Sequence, residues 1–533
     1  MILVILYILF TLFLLIFKNR RNLHMLQQNL YNVNNRYLKW ICKNYTQFFD
    51  IDLIILLLAI VGYFICPKMS IFFLIIMSIL NIILTISIRN RIVNDQNKKP
   101  LVITSRIKRI MFTNTILYII PIILIFMNYN NMKAVWLFIL LYTLMIYLNN
   151  FIVFIACTLN LPIEALITMK YRNSAIRKMK NINDLKVIGI TGSYGKTSSK
   201  NILNNILNVK YNTFASPRNL NTPKGLMTTI NNDMDKFTEI FIAEMGAYKR
   251  GEVKELCDFV HPKYGIITTI GTAHLETFGS QENIQKGKFE LIESLPNDGF
   301  GVLNKDDELQ VSYNIKNDVR IIWIGIDEED VDVRATNIKC SDRGTSFDVI
   351  FKGDKKKYSF ETRLLGKHNV YNILAALACG KEFNIDIKDL QDSVRNLKPV
   401  EHRLELKKIG NFYQIDDAYN SNPVGAKRAL EVLDMMPGIK VVVTPGMIEL
   451  GKKEAELNRI FGQQIAKVAD YVVLVGEKKT QPIKEGLLKE SFDKDKIIVL
   501  NDVRKAYTFV IDLVKDKDVY ALFENDLPDT YNE

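Results

Sequence analysis

The sequence predicts an α-helical membrane-spanning region followed by an α/β protein of two domains, the first built on a phosphate-binding loop. Three observations carry this. Roughly the first 160 of 533 residues are nearly continuous apolar segments, the pattern of spanning helices. From about residue 186, apolar β-branched runs alternate with helical stretches, which implies a mostly parallel sheet covered by helices. Between one such run and one such stretch lies the glycine-rich turn Thr191-Gly192-Ser193-Tyr194-Gly195-Lys196-Thr197.

The apolar region divides into five candidate spans, at about 2–17, 51–66, 69–88, 110–127 and 134–157; several are near the lower length limit for spanning, which leaves four to six open. The first has no charged segment before it and no small-residue cleavage site after it, so it reads as a span rather than a removable signal. The loops set the orientation. Segment 18–50 carries Lys18, Arg20, Arg21, Arg36, Lys39 and Lys43, and segment 89–109 carries Arg89, Arg91, Lys98, Lys99, Arg106, Lys108 and Arg109. The intervening turns carry only Lys68 and Lys133. Positive loops stay cytoplasmic, so five spans place the N-terminus outside and everything after about 160 in the cytoplasm, at the cell membrane. A basic juxtamembrane linker over 161–185 follows, whose Lys170, Arg172, Arg177, Lys178 and Lys180 suit contact with anionic membrane lipid or plain solvation. No charge lies deep inside a span, which argues against an ion-conducting transporter.

A net charge of +12 would otherwise suggest nucleic acid as a partner, but the basic residues concentrate beside the apolar segments, where membrane topology accounts for them. Six cysteines are scattered without a CxxC pair, which excludes a zinc ribbon or a disulfide framework and suits a reducing compartment.

Strands are expected at Val187–Ile190, Ile240–Ala243, Tyr264–Thr268, Lys440–Thr444 and Tyr471–Val475. Leu397-Lys398-Pro399-Val400 is a natural break, after which the alternation starts again. The domains expected are therefore 186–398, which binds the nucleotide, and 399–533, a second α/β unit.

The glycine turn follows Val187-Ile188-Gly189-Ile190 and precedes the helix-like Ser198-Ser199-Lys200-Asn201-Ile202-Leu203. The turn's N–H groups and the helix N-terminus face an anion, Lys196 adds a point charge, and the Thr197 hydroxyl suits Mg²⁺. Two residues separate its glycines where the general P-loop has four. Glu244 ends a strand, where an α/β sheet presents its ligands, and Mg²⁺ prefers oxygen. His274 also lies just past a strand. Lys288 and Glu290 fall on a predicted helix from Ile284 to Leu295, ended by Pro296; alone, Lys288 would read as a surface lysine.

In this order, these stretches resemble the Mur ligase family, the ATP-dependent amide-forming enzymes of cell-wall precursor synthesis. The resemblance covers roughly 185–533. It includes the ATP loop, Asn219-Leu220-Asn221-Thr222 after it, and the metal-binding stretches Glu244-Met245-Gly246-Ala247 and Gly271-Thr272-Ala273-His274-Leu275-Glu276. Lys288-Phe289-Glu290 matches the place of the family's carbamylated lysine, and Gly366-Lys367-His368-Asn369-Val370-Tyr371-Asn372 its adenine-side stretch. His402-Arg403 and Asp416-Asp417-Ala418-Tyr419-Asn420-Ser421-Asn422-Pro423 resemble the opening of its C-terminal, Rossmann-like ligase domain. The latter, with Gly446-Met447-Ile448-Glu449-Leu450-Gly451, is most similar to the D-alanyl-D-alanine-adding branch.

The resemblance implies a mechanism. ATP phosphorylates an acceptor carboxylate, an amine attacks the acyl phosphate, and an amide and phosphate result. It implies two Mg²⁺ ions, one held by Thr197 and Glu244, the other by His274 and a carbamylated Lys288. Gly192, Ser193, Gly195, Lys196, Thr197 and Ser198 would cradle the phosphates. Asn304, His368, Asn369 and Asn372 would contact the nucleotide, and Arg403 and Asp417 would reach ATP on domain closure. Lys196, Glu244, His274 and Lys288 are the implied catalytic group. The implied partners are a cell-wall precursor acceptor and an amino acid or dipeptide as amine donor.

Family members acting on UDP-sugar peptides carry an N-terminal UDP-binding domain, and here the spans stand in its place. The last span runs into the catalytic region within about 25 residues. The acceptor is therefore expected to be UDP-linked or, by this departure, lipid-linked. The polar stretch Leu522 to Tyr531 reads as a solvated end or a substrate-side loop. Two rivals remain open: a polyglutamate-type or other poly-amino-acid ligase, and a membrane-anchored P-loop ATPase that is not a ligase.

Overall fold

The computed structural model describes all residues except 1, 45–50, 66–69, 95–99, 219, 342, 355, 419–420, 449, 451–452, 515–516 and 526–533. The motif residues Asn219, Tyr419, Asn420, Glu449 and Gly451, and most of the C-terminal stretch, lie outside the described residues. The chain forms two compact units, Met1–Lys170 and Tyr171–Glu533.

The first unit is helical: α1 (Ile2–Gln28), α2 (Leu38–Lys43), α3 (Ile51–Ile65), α4 (Ser70–Asn94), α5 (Ser105–Met127), α6 (Met132–Tyr147) and α7 (Asn149–Lys180). Four helices are long and apolar enough to cross a membrane, within Ile2–Gln28, Phe72–Ile92, Ser105–Met127 and Asn149–Lys180. The apolar stretches Ile51–Phe64 and Met132–Tyr147 are shorter. The span expected over 134–157 is thus two helices, broken at Leu148. Both run antiparallel to α5, because Tyr118 Oη donates to Met145 O (3.0 Å), Asn160 Nδ2 to Thr113 Oγ1 (2.8 Å) and Arg109 Nε to Glu164 Oε1 (2.7 Å). α6 and α7 therefore run in one direction alongside α5. α1 also runs antiparallel to α5, with Asn114 on Asn19 Oδ1 (2.9 Å) and Gln27 Nε2 on Val102 O (2.9 Å).

The expected linker over 161–185 is instead largely helix, because α7 continues unbroken to Lys180. In the second unit its Ala175 and Met179 are buried in a core with Leu226, Phe241 and Phe259. Lys178 Nζ donates to Asn231 O (3.0 Å) and the Arg172 guanidinium lies 5.8 Å over the Phe259 ring, so two of the five basic residues read as lipid contacts are spent on protein.

The second unit begins with β1 (Lys186–Thr191), α8 (Lys196–Leu207), β2 (Thr213–Ala215), α9 (Pro223–Asn232), β3 (Ile240–Glu244), α10 (Glu252–Val260), β4 (Tyr264–Ile267), α11 (Leu275–Phe278), α12 (Gln281–Phe289), β5 (Phe300–Asn304), α13 (Glu308–Val311), β6 (Arg320–Gly325), β7 (Val333–Ser341), β8 (Gly344–Phe351), β9 (Tyr358–Thr362), α14 (Lys367–Glu382) and α15 (Ile387–Arg395). Its nine-stranded sheet has the order β2-β3-β1-β4-β5-β6-β7-β8-β9. Pairing is parallel through β7, and β8 and β9 add antiparallel. β1, β3 and β4 are almost wholly buried, which is why their sequences read as continuous apolar runs rather than alternation. The chain leaves β1 between β3 and β4, so a crevice opens at the carboxyl ends of these three strands, where open α/β sheets bind ligands.

A second sheet follows the break at 397–400: β10 (Glu405–Ile409), β11 (Phe412–Asp417), α16 (Pro423–Asp434), β12 (Ile439–Thr444), α17 (Glu454–Ile465), β13 (Tyr471–Val475), α18 (Glu477–Lys489), β14 (Ile497–Leu500), α19 (Val503–Leu513) and β15 (Val519–Glu524). Its order is β10-β11-β15-β12-β13-β14, parallel except at β10. All five expected strands are present within a residue or so at each end. The helix expected from Ile284 to Leu295 is shorter: α12 stops at Phe289 and a 3₁₀ turn spans Ile292–Ser294.

Candidate active site

The loop between β1 and α8 is held from all sides. Ser193 N donates to Thr269 O (2.7 Å), Gly271 N to Ser193 Oγ (3.0 Å), and Thr268 Oγ1 to Tyr194 O (2.5 Å). Gly192 and Gly195 have φ of 151° and 82°. A Cβ on Gly192 would lie 2.0 Å from Thr268 Oγ1, so glycine is required there. Gly195 is the N-cap of α8 and offers no side chain, leaving the helix's first N–H groups to a ligand. Lys196 folds back over the loop, with Nζ on Gly192 O (2.7 Å) and Ser193 O (3.2 Å). Ser198 occupies the first turn of α8.

Glu244 ends β3 with 1% exposure and collects a ring of donors. Thr197 Oγ1 (3.2 Å) and Asn221 Nδ2 (3.0 Å) reach Oε1, and Lys200 Nζ (2.9 Å) reaches Oε2. Lys200 also donates to Arg218 O (2.5 Å). Lys200 carried no role in the sequence reading. The available signal was its position four residues after Lys196, which puts both on one helix face.

His274 and Lys288 flank the same loop. His274 sits in the left-handed region (φ 60°, ψ 26°) as the N-cap of α11, and its ring lies 4.4 Å from that of Tyr248. Burial, with the positive charges of Lys196 and Lys288, pushes its pKa down to about 4. Lys288 is 2% exposed on α12, not a surface lysine, and its Nζ lies 5.3 Å over the Phe278 ring. Burial, then Lys196, lowers its pKa to about 7. Burial likewise lowers Lys196 to about 8, with Glu244 opposing and Arg403 adding to the shift. Three basic groups are thus crowded together, each made easier to deprotonate by the low-dielectric surroundings. Among the described residues no three His, Cys, Asp or Glu side chains are grouped as a metal site.

On α14, Asn372 Oδ1 accepts from Ser199 Oγ (2.9 Å), which ties this helix to α8, and Asn369 Nδ2 caps Leu365 O (2.9 Å). His368 is pushed down to about 3 by burial and by Arg428. Asn304 ends β5, but its Oδ1 is engaged by Asp306 N (3.1 Å) in a local turn. From the second sheet, Arg403 is close enough to act electrostatically on Lys196 and on Asp417. Asp417 is in register with Glu524 at the ends of β11 and β15. Burial raises Asp417 to about 6, and burial with the Asp417 charge holds Glu524 well above the ordinary carboxylate range.

Arg428, on α16, is another residue the sequence did not single out. It is partly buried, forms no ion pair among the described residues, and acts on Tyr194 in the loop and on His368 and Tyr371 of α14. An apolar-pattern helix position gives no hint that its side chain faces a different domain.

A glycine loop with Lys-Thr at the switch point of one parallel sheet, faced by charged side chains from a second sheet, marks a nucleotide-using enzyme. Residues 190–380 match the Mur ligase middle domain, and 402–523 match the Mur ligase glutamate ligase domain. The chain is 33% identical over 316 residues to the UDP-N-acetylmuramoyl-tripeptide--D-alanyl-D-alanine ligase of Bacillus subtilis, covering 58% of this chain and 67% of that one. It is 31% identical over 296 residues to the Escherichia coli protein of the same name, covering 55% and 65%. The chain belongs to the Mur ligase family. Its fold matches crystal structures of MurF from Acinetobacter baumannii (TM-score 0.60, 26% identity, 67% of this chain and 77% of that one) and of MurF from Thermotoga maritima with ADP (TM-score 0.59, 27% identity, 67% and 80%). The chain spans about two thirds of the length of the curated relatives it matches, and its N-terminal helical region is extra to the two Mur ligase domains.

Proposed function

We propose that this chain is a MurF-like, ATP-dependent peptide ligase of cell-wall precursor synthesis, anchored in the membrane with its catalytic unit in the cytoplasm. The observation that carries the reading is the convergence of Lys196, Thr197, Glu244, His274 and Lys288 on the β1–α8 loop, in a chain that matches D-alanyl-D-alanine ligases.

The residues suit Mg²⁺. Thr197 and Glu244 offer adjacent oxygens, and His274, with a pKa near 4, is neutral at pH 7 and free to use a ring lone pair. Lys288, with a pKa near 7, is about half amine at neutral pH and can add CO₂. The resulting carbamate turns a cation into an oxygen ligand and relieves the crowding of positive charge. Thr197 and Glu244 would hold one ion and His274 and carbamylated Lys288 the other. Mg²⁺ supplies charge neutralisation on the transferring phosphoryl group.

The loop N–H groups and Lys196 hold the β- and γ-phosphates of ATP, with Lys196 exchanging its two loop carbonyls for phosphate oxygens. Asn304, His368, Asn369 and Asn372 border the nucleotide, and Arg403 and Asp417 approach from the second domain. The acceptor carboxylate attacks the γ-phosphorus, and ADP leaves. The amine then attacks the acyl carbon, loses a proton, and displaces phosphate to leave the amide. Closure of the two domains keeps water from the acyl phosphate. The amine donor is read as D-alanyl-D-alanine and the acceptor as a muramoyl peptide, UDP-linked or lipid-linked.

The sidedness rests on the charge of the loops: the basic residues of segments 18–50 and 89–109 put both on the cytoplasmic side. The antiparallel run of α1 and of the α6–α7 stretch against α5 supports this reading.

Phosphate release by the full-length protein in detergent tests this. Release should require both an acceptor (UDP-linked or lipid-linked muropeptide) and D-Ala-D-Ala, and should be lost in Lys288→Ala. Release that needs neither substrate would replace the ligase with an anchored ATPase. Activity with glutamate chains instead would favour the poly-amino-acid reading.

A further inference from the structure

The helical unit holds a polar cleft that the ligase reaction does not use. It is lined by Lys18, Arg21, Asn22, Asp52, Arg91 and Asn149, with Tyr147, Asn150, Leu84 and Ile88 completing the wall. Its floor is ordered. Lys18 Nζ pairs with Asp52 and donates to Ile146 O (3.2 Å). Asn22 Nδ2 donates to Asn149 Oδ1 (2.5 Å), and Asn149 Nδ2 reaches Asn19 Oδ1 (2.8 Å) and Tyr118 Oη (2.8 Å). Arg21 and Arg91 are exposed at the rim.

The placement is specific. Asp52 opens α3, Arg91 falls in the last turn of α4, and Asn149 opens α7 at the break after α6, so three helix ends meet the middle of α1. These side chains lie at helix ends, at the depth where the membrane reading puts the lipid headgroups. Lys18, Arg21 and Arg91 bring three cations, and Asp52 one carboxylate, to a cleft floored by amide groups. Cations backed by neutral hydrogen-bonding groups match a phosphate or diphosphate ester. Beside the cleft, α1 and α4 carry exposed Phe13, Ile16, Ile82, Ile83 and Ile86, an apolar surface that a hydrocarbon tail would share.

We propose that this cleft binds the phosphate-bearing headgroup of a membrane lipid. The inference rests on the membrane reading of the helical unit. It places a lipid-phosphate site in the chain without assigning that lipid to the ligase reaction. The shared chemistry is a phosphate ester; a free, water-soluble phosphate is the alternative source, and the test separates the two.

Carbonate extraction of membranes comes first. A chain that washes off overturns the membrane reading, and this proposal with it. For a chain that stays, the detergent-purified full-length protein is titrated with farnesyl diphosphate, inorganic diphosphate and farnesol. Farnesyl diphosphate should bind about tenfold or more tightly than the other two. The double variant Arg21→Gln/Arg91→Gln should lose at least about tenfold of that affinity, since both charge-assisted contacts go. Lys39→Gln/Lys43→Gln removes the same charge from α2, outside the cleft, and should leave it unchanged. Equal binding of inorganic diphosphate assigns the cleft to a soluble phosphate and overturns the proposal. So does equal loss in both double variants, which would make the effect one of net charge, or full retention in Arg21→Gln/Arg91→Gln.

Discussion

Lys200 and Glu244 form a 2.9 Å ion pair in which each side chain is 1% exposed, the most deeply buried charge pair among the described residues. It lies directly behind the phosphate loop. Lys200 occupies one oxygen of Glu244, leaving the other turned to Thr197 and Asn221.

Lys200→Met should therefore be costly. It strands a buried carboxylate, a change worth about 3–5 kcal/mol. Denaturant unfolding of the purified variant, with and without Mg²⁺, checks this. Mg²⁺ should recover more stability in the variant than in the parent, because a bound cation replaces the lost charge. An unchanged midpoint, or an equal Mg²⁺ effect in both proteins, counts against the assignment of Glu244 to the metal.

Lys288 sets a pH dependence. Its pKa falls from the ordinary 10.5 to about 7 on folding, mainly through burial. Between these values the unfolded chain holds the proton and the folded chain does not, so this group makes stability rise with pH from about 7 upward. Below about 7 the folded state carries the full penalty of a buried ammonium. Lys288→Met should remove that slope and stabilise the catalytic unit at pH 6, yet abolish ligation. Acetate or formate added to Lys288→Ala should restore part of the activity by supplying the missing carboxylate oxygens. Rescue by chloride alone would show a non-specific salt effect.

Asp417 and Glu524 pair two carboxylates in register at adjacent strand ends, with Ser421 Oγ on Glu524 Oε1 (2.5 Å) and Oε2 without a hydrogen-bond partner. Burial raises both pKa values, Asp417 to about 6, and the Asp417 charge raises Glu524 further. The folded state holds protons that the unfolded state has released, so stability is present at low pH and lost as pH rises through about 6. Glu524→Gln keeps the acceptor for Ser421 and gives Asp417 a donor. It should raise Tm at pH 7.5 and change it little at pH 4.5. A lower Tm at pH 7.5 would refute the like-charge account.

Arg428 faces Tyr194, His368 and Tyr371 with no ion-pair partner among the described residues. A partly buried guanidinium without a counter-ion is destabilising until an anion arrives. Arg428→Met should raise the Tm of the nucleotide-free protein and raise KM for ATP by about tenfold, the scale of one charge-assisted contact. An unchanged KM would mean that Arg428 does not reach the nucleotide.

Much of this molecule is written in local sequence. β1, β3, β4, β12 and β13 are largely buried parallel strands, and such strands read as unbroken apolar runs. The glycine loop is legible because Gly192 and Gly195 hold backbone conformations that other residues adopt poorly. The apolar helices are legible because a long uncharged run is what a spanning or buried helix requires. Of the five expected spans, four fall on helices long and apolar enough to cross a membrane among the described residues, and the last is broken at Leu148 and continues to Lys180.

Tertiary structure alone decided the rest. A lysine at a helical position reads the same whether solvated or buried, so the environments of Lys200 and Lys288 depended on which helix face the sheet covers. The α12 stop at Phe289 and the burial of α7 against the Phe241 core were set by long-range packing. The Arg428 charge acts on Tyr194, and Lys18 pairs with Asp52, only because separate elements are brought together; no spacing along the chain encodes that proximity. Charge and period fix each element, but the partners of a buried charge are fixed by the fold.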